Sequence, residues 1–261
     1  MSANDHRTRG KRRKAKRVSA RHLIPIIGAV LCGLACASSQ TDIHSADNLR
    51  PDGPYKLKSR TNLLTNHMAR NQDGTVNVVI EIPAGTSEKW EVSQDGYSLV
   101  HEFKGDTPRV VNYLPYPGNY GLIPRTLLDA DKGGDGGALD VMVLGPAVAR
   151  GQVIRVRPIG VIRLVDRMEQ DDKVLAVTEG MTFQDIFDID SLKDQYPGVI
   201  EILDIWWTHA HGKGTDVSLM GTGSRAQANT VIDYAMKSWL AMRRENRAVE
   251  AKAQKEADTA Q

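Results

Sequence analysis

Two runs of carboxylates set out the chemistry this sequence could perform. In Lys132-Gly133-Gly134-Asp135-Gly136-Gly137-Ala138-Leu139-Asp140-Val141, a glycine-rich loop runs into a β-type segment and places Asp135 and Asp140 five positions apart. In Asp166-Arg167-Met168-Glu169-Gln170-Asp171-Asp172-Lys173, a second acidic run joins two segments with strand character. Carboxylates gathered at strand ends repel one another unless they share a cation. Hard oxygen donors of this kind suit Mg²⁺, Mn²⁺ or Ca²⁺. Taken singly, each loop also reads as a solvated acidic turn whose glycines serve only the turn. Thiol chemistry is excluded from the body of the chain, because both cysteines, Cys32 and Cys36, lie near the N-terminus. Nothing downstream can form a disulfide, a thiolate nucleophile or a Cys-based zinc site.

The elements that must position these carboxylates are short and rich in β-branched residues. Val76–Ile82 is a β-branched run that stops at Pro83, and 89–93 and 97–101 flank Asp95-Gly96, a hairpin signal because both residues tolerate positive φ. Further strands are expected at 109–114, 139–144, 153–165, 173–177 and 216–220, with a bend or bulge at Pro158 and Gly160. Many short strands without alternating helices argue for a barrel or a sandwich rather than a parallel sheet. Residues 190–207 read as helix interrupted at Pro197-Gly198, and Ser224-Arg225-Ala226-Gln227 is a capping box opening a last helix. Beyond about residue 243 the chain turns polar and is expected to fray. Gly221-Thr222-Gly223-Ser224-Arg225-Ala226 imitates a dinucleotide-binding fingerprint. No second strand follows it, so it reads as a tight turn into a capped helix.

Charge divides the chain. Of 261 residues, 41% are hydrophobic and 25% charged, which excludes a wholly disordered, collagen-like or multi-span membrane protein. Residues 1–21 carry nine Lys or Arg against Asp5 alone and 22–36 carry no charge, so the overall +2 leaves the remainder at −6. That acidic body argues against binding a nucleic-acid backbone, which needs basic surface. The uncharged run Leu23–Cys36 is too short for a typical membrane span of about 20 apolar residues. A basic stretch, a short apolar run and small residues at its end read instead as an export signal. Gly33-Leu34-Ala35-Cys36 resembles a bacterial lipoprotein cleavage site, with Gly33 where that pattern usually has Leu. It would leave Cys36 lipidated and the protein periplasmic and membrane-tethered; an uncleaved anchor or a cytoplasmic location are the alternatives. The expected organisation is a signal or anchor at 1–36, a polar linker at 37–72, a folded domain at 73–243 and a polar tail at 244–261. A fully flexible linker would let the anchor stand off by about 30–36 Å r.m.s..

Read in order, Glu81-Ile82-Pro83-Ala84, Lys89-Trp90-Glu91, Asn119-Tyr120-Gly121-Leu122-Ile123-Pro124, Asp135 to Asp140-Val141, and Arg157-Pro158-Ile159-Gly160-Val161 through Asp166 to Lys173 match a known family. Over about 73–243 the chain resembles the soluble family I inorganic pyrophosphatases. The resemblance implies a mainly β fold with α: a five-stranded OB-like closed β-barrel with flanking helices, one of them C-terminal. It implies hydrolysis of inorganic diphosphate with Mg²⁺, or Mn²⁺ in its place, and is compatible with a homo-oligomer. Asp135, Asp140 and Asp171 would hold a metal pair, Asp166 with Asp171 a substrate-borne metal, and Glu81, backed by Glu91, a further one. Lys89, Arg109, Tyr120 and Lys173 would hold phosphate oxygens, with Tyr116 supporting the site. Asp135, Asp140, Tyr120 and Lys173 are thus the expected catalytic set.

The chain departs from the family pattern where the chemistry is most demanding. The resemblance implies a third carboxylate in the first acidic loop, orienting or deprotonating the attacking water, and that position is Gly137, followed by Ala138. A Tyr-Lys pair of phosphate ligands falls on Ala210-His211. His211, when protonated, and Asp131 are the nearest substitutes, although His209 and His211 also read as ordinary loop residues. Two functions therefore remain open: a diphosphatase of reduced activity, or an impaired module of the same fold that binds metal and phosphate or a protein partner.

Overall fold

The computed structural model describes residues 46, 48–166, 168–180, 182–212 and 217–259. The segment read as an export signal, with Cys32 and Cys36, lies outside the described residues. Among those residues the strands are β1 (Leu49–Pro51), β2 (Lys56–Ser59), β3 (Val76–Ile82), β4 (Trp90–Val92), β5 (Ser98–His101), β6 (Phe103–Lys104) and β7 (Thr107–Pro108). They continue with β8 (Asn119–Leu122), β9 (Asp140–Leu144), β10 (Val153–Asp166), β11 (Glu169–Gln170), β12 (Lys173–Thr178) and β13 (Val217–Ser224). Three α-helices follow the acidic loops: α1 (Ile189–Gln195), α2 (Val199–His209) and α3 (Arg225–Thr259).

The main sheet is built from β3, β8, β9, β12 and β10, each hydrogen-bonded to the next, and β10 also pairs with β3. The path of backbone pairing thus returns to its starting strand. Among the described strands only β9 and β12 pair in parallel. Strand alternation decides what each face buries. Met142, Leu144, Leu175 and Val177 pack with Trp206 and Trp207 of α2, while Val141, Val143, Val174 and Ala176 pack with Ile232 and Ala235 of α3. Both faces are apolar, which explains near-continuous hydrophobic runs in the sequence where a half-exposed strand would alternate.

Several expectations hold at the level of single residues. The β4–β5 hairpin turns at Gly96 with φ +75°, and β10 shifts register against β12 between Pro158 and Gly160. Helices α1 and α2 are separated at Pro197-Gly198. At the start of α3, Gln227 Oε1 accepts from the Ser224 amide at 2.8 Å and Ser224 Oγ from the Gln227 amide at 3.3 Å, the reciprocal capping box. Glycine is indispensable at Gly121, where a Cβ would lie 1.9 Å from the Val79 carbonyl oxygen. That close approach seats β8, and with it Tyr120, against β3.

Three expectations need correction. Residues 109–114 form no strand: the chain makes only the short β6–β7 ladder and an isolated Glu88–Val110 bridge, then runs irregularly to Pro117. Val110 and Leu114 are exposed there, so no second buried face exists to hold a strand. The C-terminal stretch does not fray but continues as α3 to Thr259, exposed along its last four turns. Its 244–259 part is dominated by strong helix formers such as Ala, Glu, Lys, Gln and Arg. Finally, residues from 48 onward are not a tether. β1 and β2 join β5 and β4 in a four-stranded sheet, and Leu49 and Leu63 pack with Val79, Trp90, Leu99 and Leu122. The few apolar anchors were diluted among polar residues, which hid the element. Truncating the fully buried Leu63 to Ala is expected to lower unfolding free energy by about 2–5 kcal/mol. Urea unfolding of the variant checks this, and an unchanged midpoint would return the segment to linker status.

Candidate active site

Several of the sequence-selected residues come from strands of the main sheet, while Lys89, Arg109, Asp135 and Asp171 lie in the connecting segments. β3 contributes Glu81 at a point where its register against β8 shifts between Ile80 and Ile82. Two residues of β3 there oppose one of β8, a β-bulge, and Glu81 is buried in an unbroken buried run from Val78 to Ile82. Lys89 immediately precedes Trp90 at the start of β4 and Glu91 follows it, Tyr120 stands on β8, Asp140 opens β9, Asp166 ends β10 and Lys173 opens β12. Parallel pairing of Val141 with Val174 sets Asp140 beside Lys173, and antiparallel pairing of β8 with β9 sets Tyr120 diagonal to Asp140.

Asp140 is the hub. Its Oδ2 accepts from the Tyr120 hydroxyl at 2.5 Å and from Lys173 Nζ at 2.5 Å, and the same ammonium donates to Asp171 Oδ1 at 2.5 Å. Burial works to raise the Asp140 pKa, but Lys173 and Lys89 outweigh it and hold the carboxyl below its ordinary value. Burial works in the opposite sense on Lys173, and Asp140 with Asp171 overcomes it, raising the ammonium above the ordinary lysine range. Lys173 is therefore a buried, fully paired cation, with Nζ 5.9 Å from the Tyr120 ring and 5.8 Å from the Trp207 ring. Lys89 Nζ lies 5.2 Å from the other carrier of the hub, the Tyr120 ring. Burial, followed by Asp140 and Tyr116, lifts the Tyr120 phenol well above its usual range, so it remains a donor.

Glu81 behaves differently. Its Oε1 accepts from the Val92 amide at 2.6 Å, yet burial, opposed by Lys89 and assisted by Asp140, pushes its pKa up to about 8. Tyr116 is buried against Tyr120 and Trp206, at ring distances of 5.4 and 4.6 Å. Arg109 pairs with Glu102 at 2.6 Å, and the backbone ties Lys89, Glu102 and Arg109 together, since the Lys89 amide donates to Arg109 O and the Glu102 amide to Lys89 O.

The expected metal cage is less gathered than its residue list implied. Among the described residues, no group of three or more acidic or histidine side chains stands ready to hold an ion. Lys173 already neutralises Asp140 and Asp171, Asp135 is exposed with Oδ1 accepting from the Gly137 amide, and Glu91 is exposed. Asp166 is half-buried at the strand end, and the Gln170 amide, donating to Gly133 O at 3.2 Å, brings the two acidic loops together. Donor chemistry nonetheless fits a hard divalent ion: carboxylates that share a cation, and a buried Glu81 that lacks one close enough to keep it ionised. The sequence reading assigned no role to Trp207, Glu102, His101 or Arg150, and offered His211, when protonated, as a substitute phosphate donor. His211 feels the charges of Arg109, Asp166, Asp171 and Lys173. Burial and then Arg109 draw its imidazole below the ordinary histidine value, against the pull of the two aspartates, so it does not replace a lysine charge. His209 stacks instead on Tyr113 at 6.4 Å.

The family model described as inorganic pyrophosphatase matches residues 78–240, a stretch that contains every one of these side chains. The chain belongs to the inorganic pyrophosphatase family. A relative named inorganic pyrophosphatase from Gluconobacter oxydans is 35% identical over 168 residues, covering 62% of this chain and 89% of the relative. The solved inorganic pyrophosphatase of Thermus thermophilus is 27% identical, with a TM-score of 0.58 over 69% of this chain and 99% of that one. The type I inorganic pyrophosphatase of P falciparum shares the fold with a TM-score of 0.69 at 18% identity, over 81% of this chain and 82% of that one. The segments of this pyrophosphatase chain before residue 78 include β1 and β2, so the four-stranded sheet extends beyond the matched stretch.

Proposed function

We propose that this chain hydrolyses inorganic diphosphate to two phosphates in a Mg²⁺-dependent reaction at the mouth of an OB-like barrel formed by β3, β8, β9, β12 and β10. The single observation that carries the reading is the buried Lys173 ammonium held between half-buried Asp140 and Asp171, with Tyr120 on the same Asp140 oxygen, inside the matched family stretch. Asp140, Asp171 and Asp135 would hold a metal pair, with Mn²⁺ as an alternative, and Asp166 and Glu81 the further ions. Bound metal of this kind neutralises the highly charged substrate and leaving phosphate, and acidifies a water enough to supply hydroxide near neutral pH. The chain's own residues supply the rest. Lys89, Lys173 and Arg109 donate to phosphate oxygens, Tyr120 adds a hydroxyl donor, and Tyr116 with Trp206 and Trp207 keeps that wall of the site dry.

Phosphate release from diphosphate, with Mg²⁺ titrated from a chelated start, tests this directly. Release that rises with Mg²⁺ and vanishes with chelator is expected, and none at any metal concentration rejects the reading. A second reading, a weakly active module of the same fold, is favoured by Gly137 and Ala210, which remove one proton acceptor and one phosphate donor. For location, the basic, apolar and small-residue order of 7–36 supports export with a lipid anchor at Cys36.

A further inference from the structure

Arg150 belongs to no motif, yet it is one of the few buried charges in the molecule. It sits in the loop between β9 and β10, with its side chain only 7% exposed. A buried guanidinium is costly unless it is well paired, and here two of its three side-chain contacts lead to residues at or beside the site, Glu81 and Trp90. Its Nε donates to the Glu81 carbonyl oxygen at 2.9 Å, its Nη2 reaches Glu88 Oε2 at 3.3 Å, and its Cζ lies 4.5 Å from the Trp90 ring. The bulge at Glu81 takes that residue out of the β3–β8 ladder, so its carbonyl needs a donor from elsewhere. Arg150 supplies it.

The contact with Trp90 extends the brace. Trp90 stacks at 5.1 Å and 18° on His101, whose Nε2 is 2.9 Å from the Arg109 carbonyl oxygen. Trp90 also lies between Lys89 and Glu91 in sequence, and alternation sends those two side chains to the face opposite the stack. Arg150, Trp90 and His101 thus form one column behind Glu81, Lys89, Glu91 and Arg109, tied to two of them through backbone carbonyls. We propose that Arg150 is a positioning residue: through the Glu81 carbonyl and the Trp90 ring it holds Glu81 and Lys89 in their working places. The inference rests on the diphosphatase reading above. A displacement of about 1 Å at such groups can cost on the order of 10²-fold in rate.

Arg150→Met, which keeps the apolar stem, and Arg150→Lys, which keeps the charge without the planar fork, test this in the full chain. Both are compared with Ile232→Ala, a truncation in the core under α3. Three quantities are read for each: melting temperature, kcat and KM for diphosphate at saturating Mg²⁺, and the Kd of imidodiphosphate by calorimetry without metal. Expected are a fall in kcat of about 10–100-fold and a Kd weakened several-fold for both Arg150 variants, below their own melting temperatures. Ile232→Ala should lose thermal stability while keeping kcat and Kd. Arg150 variants that retain wild-type kcat and Kd when folded overturn the inference and leave the diphosphatase reading intact. A wild-type chain that releases no phosphate overturns that reading and the inference with it. Should an Arg150 variant fail to fold, His101→Ala, which removes the far end of the column, is expected to show the same kcat loss, and a wild-type rate there overturns the proposal.

Discussion

Replacing Asp140 with Asn is expected to slow phosphate release from diphosphate by about 10²–10³-fold while leaving the chain folded. The substitution changes almost no volume but removes the charge on which the site is organised. Asp140 Oδ2 receives both Tyr120 and Lys173, and its negative charge is also one of those that keep Lys89 protonated. An amide in its place leaves Asp171 as the one charged partner of Lys173, and its NH₂ group cannot accept from the ammonium as the carboxylate oxygen it replaces can. Preorganised charge is worth most where water is excluded, because there is no solvent to substitute for it. The loss should therefore appear in kcat as well as in affinity, since the same carboxylate is the proposed common ligand of metal and cation. Steady-state rates at saturating Mg²⁺, with the melting temperature as control, check this. A folded Asp140→Asn protein with the wild-type rate would remove Asp140, and with it the hub, from the mechanism.

How much of this was legible in the sequence depends on whether a feature is local. β3, the Asp95-Gly96 turn, the Pro158–Gly160 bulge and the Ser224 capping box are each written within a few consecutive residues, and each stands where the pattern set it. The acidic loops were equally legible as loops at strand ends, because their carboxylates and glycines cluster in sequence. β8 was not read as a strand: four residues between Pro117 and Pro124, one of them glycine, carry too little propensity, and the strand exists because Gly121 lets it close on β3. The β1–β2 sheet was missed because its stability comes from Leu49 and Leu63 meeting residues from β3, β4, β5 and β8. The least legible feature is the column behind the site. Residues 81, 90, 101 and 150 have no common period, and an arginine in a loop gives no sign that its guanidinium will be buried against a tryptophan. The charge state of the carboxylates was illegible for the converse reason. Spacing counted carboxylates, but it could not show that Lys173 already neutralises two of them.

That balance of charge also decides what should follow from Gly137→Asp. The substitution is expected to raise the rate of diphosphate hydrolysis by about 10²–10⁴-fold, the range attributed to a positioned general base. The backbone permits it. Gly136 occupies φ +79° and needs glycine, whereas Gly137 is not in the left-handed region, and its amide already donates to Asp135 Oδ1 at 2.8 Å. A Cβ at 137 would lie 3.1 Å from that same Oδ1 and 3.4 Å from Oδ2, contacts that an exposed carboxylate relieves by rotating a few tenths of an ångström away. The new carboxylate would stand beside Asp135 and three residues before Asp140, so without metal the repulsion raises its pKa and favours its neutral form. Its benefit as a proton acceptor should therefore grow with Mg²⁺, and the ratio of variant to wild-type rate should climb across a Mg²⁺ titration. Gly137→Asn, of equal size but without a basic oxygen, should give no such climb. A flat ratio for the aspartate variant would place the limiting deficit at Ala210 and His211, where a buried methyl and a neutral imidazole stand in the position of two phosphate donors. The fold would then be better suited to holding phosphate than to turning it over.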